Sequence, residues 1–298
     1  MPRYQSTPNF EHGLPESLGV LLVNLGTPEA PTASAVRRYL RQFLWDPRVV
    51  EIPRPVWWLI LNAFILPFRP ATSAKAYGEI WTEDGSPLLL HSQDIADSVA
   101  TQLAGRVSGV VNVELGMSYG QPSIDSALEN LFQQGAQRIV CLPLYPQYSG
   151  TTTGSVFDDV TRALGKRRWV PGFRFINQYL EAPGYIAAQV QNIREYWDQH
   201  GRGEKLLFSF HGLPRQMLED GDPYPKMQAV FRERLARLHD TLVDLGFRPF
   251  PAASGMYLLC ATPAEIGSRA VADSAEAANL LLSEHGVAVV PWEVPPHS

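Results

Sequence analysis

The chain has few cysteines and little charge, and both features exclude some classes of protein. It has 298 residues, of which two are cysteines, Cys141 and Cys260, and 18% are charged. Both cysteines lie in apolar runs, which predicts reduced, buried thiols of a cytoplasmic protein rather than a disulfide framework. The formal net charge is −5 and there is no basic run, so nucleic acid is not expected as a partner.

Long apolar runs are also scarce. The most apolar stretch, residues 56–68, is shorter than the roughly 20 residues needed to cross a bilayer. It fits either a helix buried against a sheet or an apolar lip over an apolar pocket. In the second case the lip would touch a membrane surface. Residues 1–17 lack the apolar core of a signal peptide and predict a flexible arm.

Short apolar runs alternate with amphipathic segments along most of the chain. Strands are predicted at residues 18–24, 110–115, 138–144, 173–176, 205–210, 254–260 and 287–290. Helices are predicted from Thr32 to about residue 43 and at 72–80, 88–103, 123–134, 155–164, 183–200, 227–245 and 274–284. This alternation predicts βαβ units and an α/β fold with a mainly parallel sheet. No Gly-x-Gly-x-x-Gly fingerprint follows the first strand, which argues against a dinucleotide site.

His211 follows a short apolar run and precedes Gly212 and Pro214. The pattern predicts a buried strand whose carboxyl end carries the histidine, at the edge where open α/β sheets bind ligands. An imidazole there can bind a metal or take up a proton near neutral pH, although a hydrogen-bonded structural histidine fits the same pattern.

The segment 206–224 around His211 resembles the signature of the ferrochelatases, which insert ferrous iron into a porphyrin. Four earlier blocks are also similar to that family, closest to its proteobacterial branch: 19–28, 77–88, 116–124 and 142–149. The resemblance implies a chelatase-like α/β fold of two Rossmann-like parallel-sheet domains with helices on both faces. The first domain would be at 18–150, and the second would begin at 151–225.

The resemblance also implies roles for single residues. His211 would be catalytic, as the metal ligand or the proton acceptor. Porphyrin contacts would come from three loops that follow strands: Asn24, Leu25, Thr27, Tyr119, Tyr148 and Ser149. The Tyr119 phenol could bond a propionate or pack on the macrocycle, and a core tyrosine is an equal alternative. The hydroxyl-rich run 149–153 could meet an anionic group, but simple helix capping explains it as well.

The expected partners are protoporphyrin IX and Fe²⁺, with Fe²⁺ as a substrate and no permanently bound cofactor. Animal ferrochelatases hold an iron–sulfur cluster on four cysteines, so no such cluster is expected with two. Family members have an apolar lip at the porphyrin mouth, which segment 56–68 resembles. The implied location is the cytoplasm, with peripheral contact at the inner membrane surface.

Residues 226–298 resemble a different family. The segments 250–258 and 287–298 are similar to the small subdomain of fold-type I, pyridoxal-phosphate-dependent aminotransferases. A block that carries a glutamate opposite the histidine in ferrochelatases is absent here, so no second metal ligand is found. The sequence therefore predicts a junction near Pro225 and Lys226, and a second domain that is incomplete or replaced at its C-terminus.

Three functions follow from these patterns. The first is a ferrochelatase that converts protoporphyrin IX and Fe²⁺ into protohaem. The second is a catalytically impaired relative that binds porphyrin or haem without turnover, because the glutamate block is missing. The third, an aminotransferase, is disfavoured because the chain has no large domain and no recognisable Schiff-base lysine motif.

Overall fold

The computed structural model describes residues 4–6, 17–201 and 211–222, together with short pieces at 240, 243–244, 248–249, 260–261, 265–266, 269–272, 276–277 and 280. The chain divides into two compact units, Met1–Tyr185 and Ile186–Ser298. The prediction places a domain boundary at residue 150, and the strand at 172–175 pairs with the sheet of the first unit.

The first unit is built on a four-stranded parallel sheet. Its strands are β1 (Ser17–Gly26), β2 (Val110–Tyr119), β3 (Ala136–Pro143) and β4 (Gly172–Phe175), in the order β2-β1-β3-β4. The strand β1 is central, and its aliphatic residues 20–23 are all buried, as expected for a parallel strand covered on both faces. The strand order reverses between β1 and β3, and open α/β sheets bind ligands at the carboxyl ends of strands around such a point.

Helices connect and flank these strands. The first unit contains α1 (Ala33–Trp45), α2 (Arg54–Ile60), a π-helical turn (Leu61–Ile65), α3 (Leu66–Ile80), α4 (Pro87–Ala104), α5 (Ile124–Gln133), a second π-helical turn (Gly150–Gly154) and α6 (Ser155–Leu164). The helix α7 (Pro183–His200) crosses the boundary between the units, and α8 (Arg215–Glu219) follows it. The Thr32 side chain caps α1 by accepting a hydrogen bond from the amide of Ala35 at 3.4 Å, which confirms the predicted cap.

Alternate residues of β1 point to opposite faces of the sheet. Leu21 and Val23 pack with α5 and α6, while Val20 and Leu22 pack in a second cluster with α4. The sheet therefore has helices on both faces, as the family resemblance implies. Cys141 of β3 is fully buried in the first of these clusters, as predicted for a reduced core thiol.

The apolar segment 56–68 divides its residues between the core and the surface. Trp57, Leu61 and Leu66 are buried against α1, and the indole of Trp57 donates to the carbonyl of Leu44 at 2.6 Å. Five large apolar side chains of the same segment are more than half exposed: Val56, Trp58, Leu59, Phe64 and Phe68. The segment is thus an anchored helix with an apolar outer surface, and no described helix is long and apolar enough to span a bilayer.

Part of the predicted N-terminal arm is held in place. The amide of Gln5 donates to the carbonyl of Lys166, and the amide of Arg168 donates to that of Gln5. Ser17, the last residue of the predicted arm, begins β1.

The second unit is described only in pieces. Its described residues include four strands of two residues each: β5 (Arg248–Pro249) with β6 (Cys260–Ala261), and β7 (Glu265–Ile266) with β8 (Arg269–Ala270), both pairs antiparallel. The predicted strands at 205–210 and 287–290 lie outside the described residues, as do most of the predicted elements at 227–245, 254–260 and 274–284.

Candidate functional site

Six of the predicted site residues lie at the carboxyl edge of the sheet in the first unit. Asn24 and Leu25 end β1, and Thr27 follows it. Tyr119 ends β2, where it is the register partner of Gly26. Tyr148 and Ser149 lie in the loop that follows β3, close to the second π-helical turn. The fold thus brings three predicted loops to one edge.

Two glycines allow the ends of β1 and β2 to approach closely. Gly26 has φ +102°, and a Cβ atom at this position would lie 1.7 Å from the carbonyl oxygen of Tyr119. Gly120 has φ +90°, and a Cβ there would lie 2.6 Å from the carbonyl oxygen of Thr27. Only glycine adopts these backbone angles at little cost and leaves room for the opposite backbone.

The Asn24 side chain fixes the end of β1 to α4. Its Nδ2 donates to Ser92 Oγ at 3.0 Å, and its Oδ1 accepts from the amide of Leu25 at 2.8 Å. Ser92 in turn donates to the carbonyl of Leu88 at 2.6 Å. These bonds hold Leu25 at the edge, half-buried against the cluster formed by α1, α2 and α3.

Tyr119 is joined to a carboxylate that the sequence analysis does not identify. Its hydroxyl donates to Asp46 Oδ2 at 2.7 Å, and Asp46 Oδ1 accepts from the amide of Arg48 at 2.8 Å. Asp46 is the C-cap residue of α1, in a turn without hydrophobic periodicity, so no regular pattern marks it in the sequence. Its place two residues before Arg48, in an otherwise apolar stretch, was the available signal.

Aromatic rings surround the buried Tyr119 side chain, which is 4% exposed. The rings of Phe43 and Tyr39 approach it edge-on, with centroids 5.2 Å and 6.5 Å away. Burial raises the pKa of Tyr119 well above its usual range, and the hydrogen bond to Asp46 raises it further. The phenol is therefore neutral at any ordinary pH, and its hydrogen is already donated.

The loop after β3 turns into a hydroxyl-rich helix entry. Ser149 Oγ accepts from the amide of Thr151 at 3.2 Å and caps the π-helical turn that leads into α6. This confirms the capping interpretation of the run 149–153. Single π-helical turns occur frequently at functional sites.

Arg48 ties the turn after α1 to this helix entry. Its guanidinium makes two hydrogen bonds to Asp158 of α6, at 2.5 Å and 3.0 Å. A Cβ atom on Gly154 would lie 2.8 Å from Arg48 Nη1, so the guanidinium packs directly on the π-helical turn. Like Asp46, Arg48 lies outside the residues that the sequence analysis identifies.

Unpartnered hydroxyls gather at the same edge. In the part of the chain that the structure describes, two buried hydroxyls have no hydrogen-bond partner: Thr27 Oγ1, just after β1, and Thr153 Oγ1, in the second π-helical turn. Two more, Ser118 Oγ near the end of β2 and Tyr145 Oη just after β3, have no partner except each other. An unsatisfied buried hydroxyl costs about 1–3 kcal/mol, so such groups at one edge of the sheet require an explanation.

His211 belongs to the second unit, and its side chain is exposed. Its Nδ1 lies 2.7 Å from the carbonyl oxygen of Gly212. Because a carbonyl oxygen only accepts, Nδ1 carries a hydrogen in this contact, and in the neutral ring Nε2 keeps its lone pair. That nitrogen can bind a metal ion or take up a proton. Within the described ranges, no group of three or more His, Cys, Asp or Glu side chains could hold a metal ion.

Comparison with known proteins gives a family match over most of the chain. The ferrochelatase family model matches residues 17–248. That range extends past the junction predicted near Pro225, to residue 248. It supports the ferrochelatase part of the sequence interpretation, whereas the comparisons do not support the aminotransferase resemblance of residues 226–298.

Several curated proteins are similar over the same part of the chain. A ferrochelatase of Thioalkalivibrio sulfidiphilus is 59% identical over 222 residues, which cover 74% of this chain and 60% of that protein. Ferrochelatases of Marinobacter nauticus and Idiomarina loihiensis are 50% and 49% identical over 236 and 237 residues, each covering 78% of this chain. The chain spans 60% to 65% of the length of these three relatives.

Proposed function

The chain belongs to the ferrochelatase family, and from this we propose that it binds protoporphyrin IX and inserts Fe²⁺ to give protohaem and two protons. The observation that carries the proposal is the family match over residues 17–248, which includes His211 and all three loops at the edge of the sheet. The 59% identity of a curated ferrochelatase over 222 residues supports the same activity.

The chemistry assigns different tasks to the two units. Metallation needs a bound macrocycle, removal of two pyrrole protons and transient ligands for a dehydrating Fe²⁺ ion. In this proposal Leu25, Thr27, Tyr119, Tyr148 and Ser149, with Asn24 as their support, form the porphyrin-binding edge. His211 Nε2 supplies the base or the iron ligand, because imidazole suits both roles near neutral pH.

The base or the iron ligand is assigned to His211, and no second polar group is named beside it. Imidazole alone still provides one free nitrogen lone pair, which can serve either as an iron ligand or as a proton acceptor. We therefore expect metal insertion that depends on His211, with proton removal completed by water.

The test is anaerobic metallation of protoporphyrin by the full chain, with Fe²⁺ and separately with Zn²⁺. Wild type should convert the free-base absorption bands into those of the metalloporphyrin, and His211→Ala should lose at least about 100-fold in rate, as for removal of a general base. His200→Ala is the matched control, since this exposed histidine of the same unit lies at the end of α7. Porphyrin binding without metal insertion would contradict the proposed activity and identify an impaired porphyrin-binding protein.

A second proposal concerns the residues after 248. Both segments that resemble the aminotransferase subdomain, 250–258 and 287–298, lie beyond the family match, so the chain departs from the family later than Pro225. We propose that this tail has no pyridoxal-phosphate chemistry. The purified chain should show no pyridoxal-phosphate absorbance band, and the appearance of that band would contradict the proposal.

We also propose a cytoplasmic protein whose apolar lip, residues 56–68, contacts the membrane surface. The five exposed side chains of the lip support this contact, since burying one large apolar side chain contributes about 1.5–3 kcal/mol. The double variant Phe64→Ser, Phe68→Ser should reduce binding to phosphatidylcholine vesicles at least about tenfold in a flotation assay. Ile95→Ser on α4 is the matched control, and equal binding by both variants would contradict the contact.

A further inference from the structure

The helix α1 carries two exposed arginines and an exposed tryptophan on one face. Arg37, Arg41 and Trp45 follow one another at intervals of four residues, so they form a stripe along the helix, called here the α1 basic stripe. Within the described ranges, neither Arg37 nor Arg41 forms an ion pair with a carboxylate. Both guanidinium groups are therefore available to an anion from outside the protein.

A cation–π contact joins the α1 basic stripe to the apolar lip. The Arg54 guanidinium lies over the Trp45 ring, with its carbon 4.0 Å from the ring centre. Its two terminal nitrogens donate to the carbonyl oxygens of Val50 and Trp45, which fixes the group in place. Arg54 begins α2, and the exposed Trp58 lies four residues later on the same face of that helix. The stripe and the lip therefore adjoin, with two exposed tryptophans where basic residues give way to apolar ones.

This surface belongs to a basic segment of an acidic protein. Residues 33–80, which include α1, α2 and α3, contain seven Arg and Lys against three Asp and Glu, a net charge of +4, whereas the whole chain has −5. Two of these arginines pair with carboxylates from outside the segment, in Arg38–Glu29 and Arg48–Asp158. Five cations then remain against three carboxylates, so the segment favours an anionic partner.

A membrane with anionic lipids matches both parts of this surface. Arginines beside a membrane-bound helix attract anionic headgroups, and tryptophan is enriched at the boundary between headgroups and acyl chains. Nucleic acid or an acidic protein offers negative charge but no apolar phase for the five exposed side chains of the lip.

We infer that the α1 basic stripe, together with Arg54, binds the headgroups of anionic phospholipids. The inference rests on the proposed contact between the lip and a membrane, and it adds the class of lipid that the surface prefers. The lip supplies apolar contact with any bilayer, whereas the arginines strengthen binding only where the headgroups carry negative charge.

The test is flotation of the full chain with two kinds of vesicle. One kind is pure phosphatidylcholine, and the other contains about one third phosphatidylglycerol, which is anionic. Wild type should bind the anionic vesicles at least about tenfold more tightly than the neutral ones. This gain should disappear at about 1 M salt, where the Debye length is about 3 Å.

Charge-removing variants locate the effect. The double variant Arg37→Gln, Arg41→Gln should lose about tenfold in affinity for the anionic vesicles, because two cations leave the membrane surface, and should bind neutral vesicles as wild type does. Arg106→Gln, Arg168→Gln is the matched control, since it removes the same charge from two exposed arginines outside this surface. Equal losses in the two double variants would show an effect of net charge alone and would overturn the inference.

The two kinds of vesicle also separate this inference from the proposed lip contact. If the variant Phe64→Ser, Phe68→Ser weakens binding to neutral vesicles but wild type gains nothing from anionic lipid, the lip contact stands and the inference is wrong. Wild type that binds neither kind contradicts both. Duplex DNA bound as tightly as anionic vesicles at equal phosphate concentration would indicate a general polyanion site and would also overturn the inference. Circular dichroism of each variant confirms that folded proteins are compared.

Discussion

Gly26 carries the close approach of two strand ends on which the candidate site depends. Gly26 has a positive φ, and a Cβ atom at this position would lie 1.7 Å from the carbonyl oxygen of Tyr119. A side chain here would therefore cause both backbone strain and a collision. Gly85 offers a natural comparison, because it has φ +125° but nothing within 4 Å of its own would-be Cβ. The pair separates the cost of the backbone angle from the cost of the collision.

We expect Gly26→Ala to lower the free energy of unfolding by at least about 3 kcal/mol, because strain and a backbone clash add. Gly85→Ala should cost about 1–2 kcal/mol, from the backbone angle alone. Urea unfolding of both variants measures the difference. Equal losses would show that the ends of β1 and β2 are not as close as the structure has them.

The buried tyrosines predict a loss of stability at high pH. Burial raises the pKa values of Tyr39, Tyr119 and Tyr145 above the ordinary value of about 10. When a folded pKa is raised, the folded state keeps a proton that the unfolded state releases, so the stabilisation is complete below about pH 10 and is lost as the pH rises above it.

Replacing Tyr119 by Phe removes one such group. The free energy of unfolding should then fall less steeply above pH 10, by up to about 1.4 kcal/mol per pH unit. Urea midpoints measured between about pH 9 and pH 11.5 give this slope. If the unfolding free energy of Tyr119→Phe falls with pH as steeply as that of wild type, the result contradicts a buried Tyr119 phenol bonded to Asp46.

Among the helices, α5 and α6 depend on a buried cation between them. The Arg167 side chain is 7% exposed, pairs with Glu129 of α5 and has its guanidinium carbon 4.4 Å from the centre of the Phe132 ring. Its Nη1 also donates to the carbonyl of Ser6 at 3.4 Å, so the same side chain holds the N-terminal segment.

We expect Arg167→Ala to cost about 3 kcal/mol of unfolding free energy, since it breaks a largely buried pair and removes a ring contact. Arg38→Ala, which breaks the exposed pair with Glu29, should cost about 1 kcal/mol or less. Chemical denaturation of the two variants provides the measurement. Similar small losses would mean that the N-terminal segment and α5 do not share this anchor.

The regular elements of the first unit were largely predictable, because a single physical signal marks each of them. The predicted helices 155–164 and 183–200 agree with α6 and α7 to the residue. The predicted strand 110–115 stops short of Tyr119, because Gly116 and Ser118 interrupt its apolar run although the backbone pairing continues. The predicted helix 72–80 starts too late, because Pro67 and Pro70 suggest a break where the π-helical turn instead passes into α3.

The site was predictable only in part. Residues at strand ends, such as Thr27 and Tyr119, are found from position and resemblance. Asp46 and Arg48 are not, because their importance comes from contacts between segments far apart in sequence, 73 residues for Asp46–Tyr119 and 110 for Arg48–Asp158. Periodicity carries no information about such contacts.

The molecule as a whole combines a complete first sheet with a second unit that holds His211. The order β2-β1-β3-β4 brings the ends of three strands to one edge, and this edge carries the unpartnered hydroxyls and the Tyr119–Asp46 pair. The central claim is that this edge binds the porphyrin. The family match supports the claim, and the location can be tested without catalysis.

The most direct measurement is hydrogen–deuterium exchange of the full chain with and without protoporphyrin IX. We predict slower exchange on binding in the loops that follow β1, β2 and β3, at residues 26–30, 120–122 and 145–151. The loops at the opposite edge, residues 105–109 and 134–135, should be unchanged. Bound porphyrin that leaves the first three loops unprotected, or that protects only the opposite edge, would contradict the account.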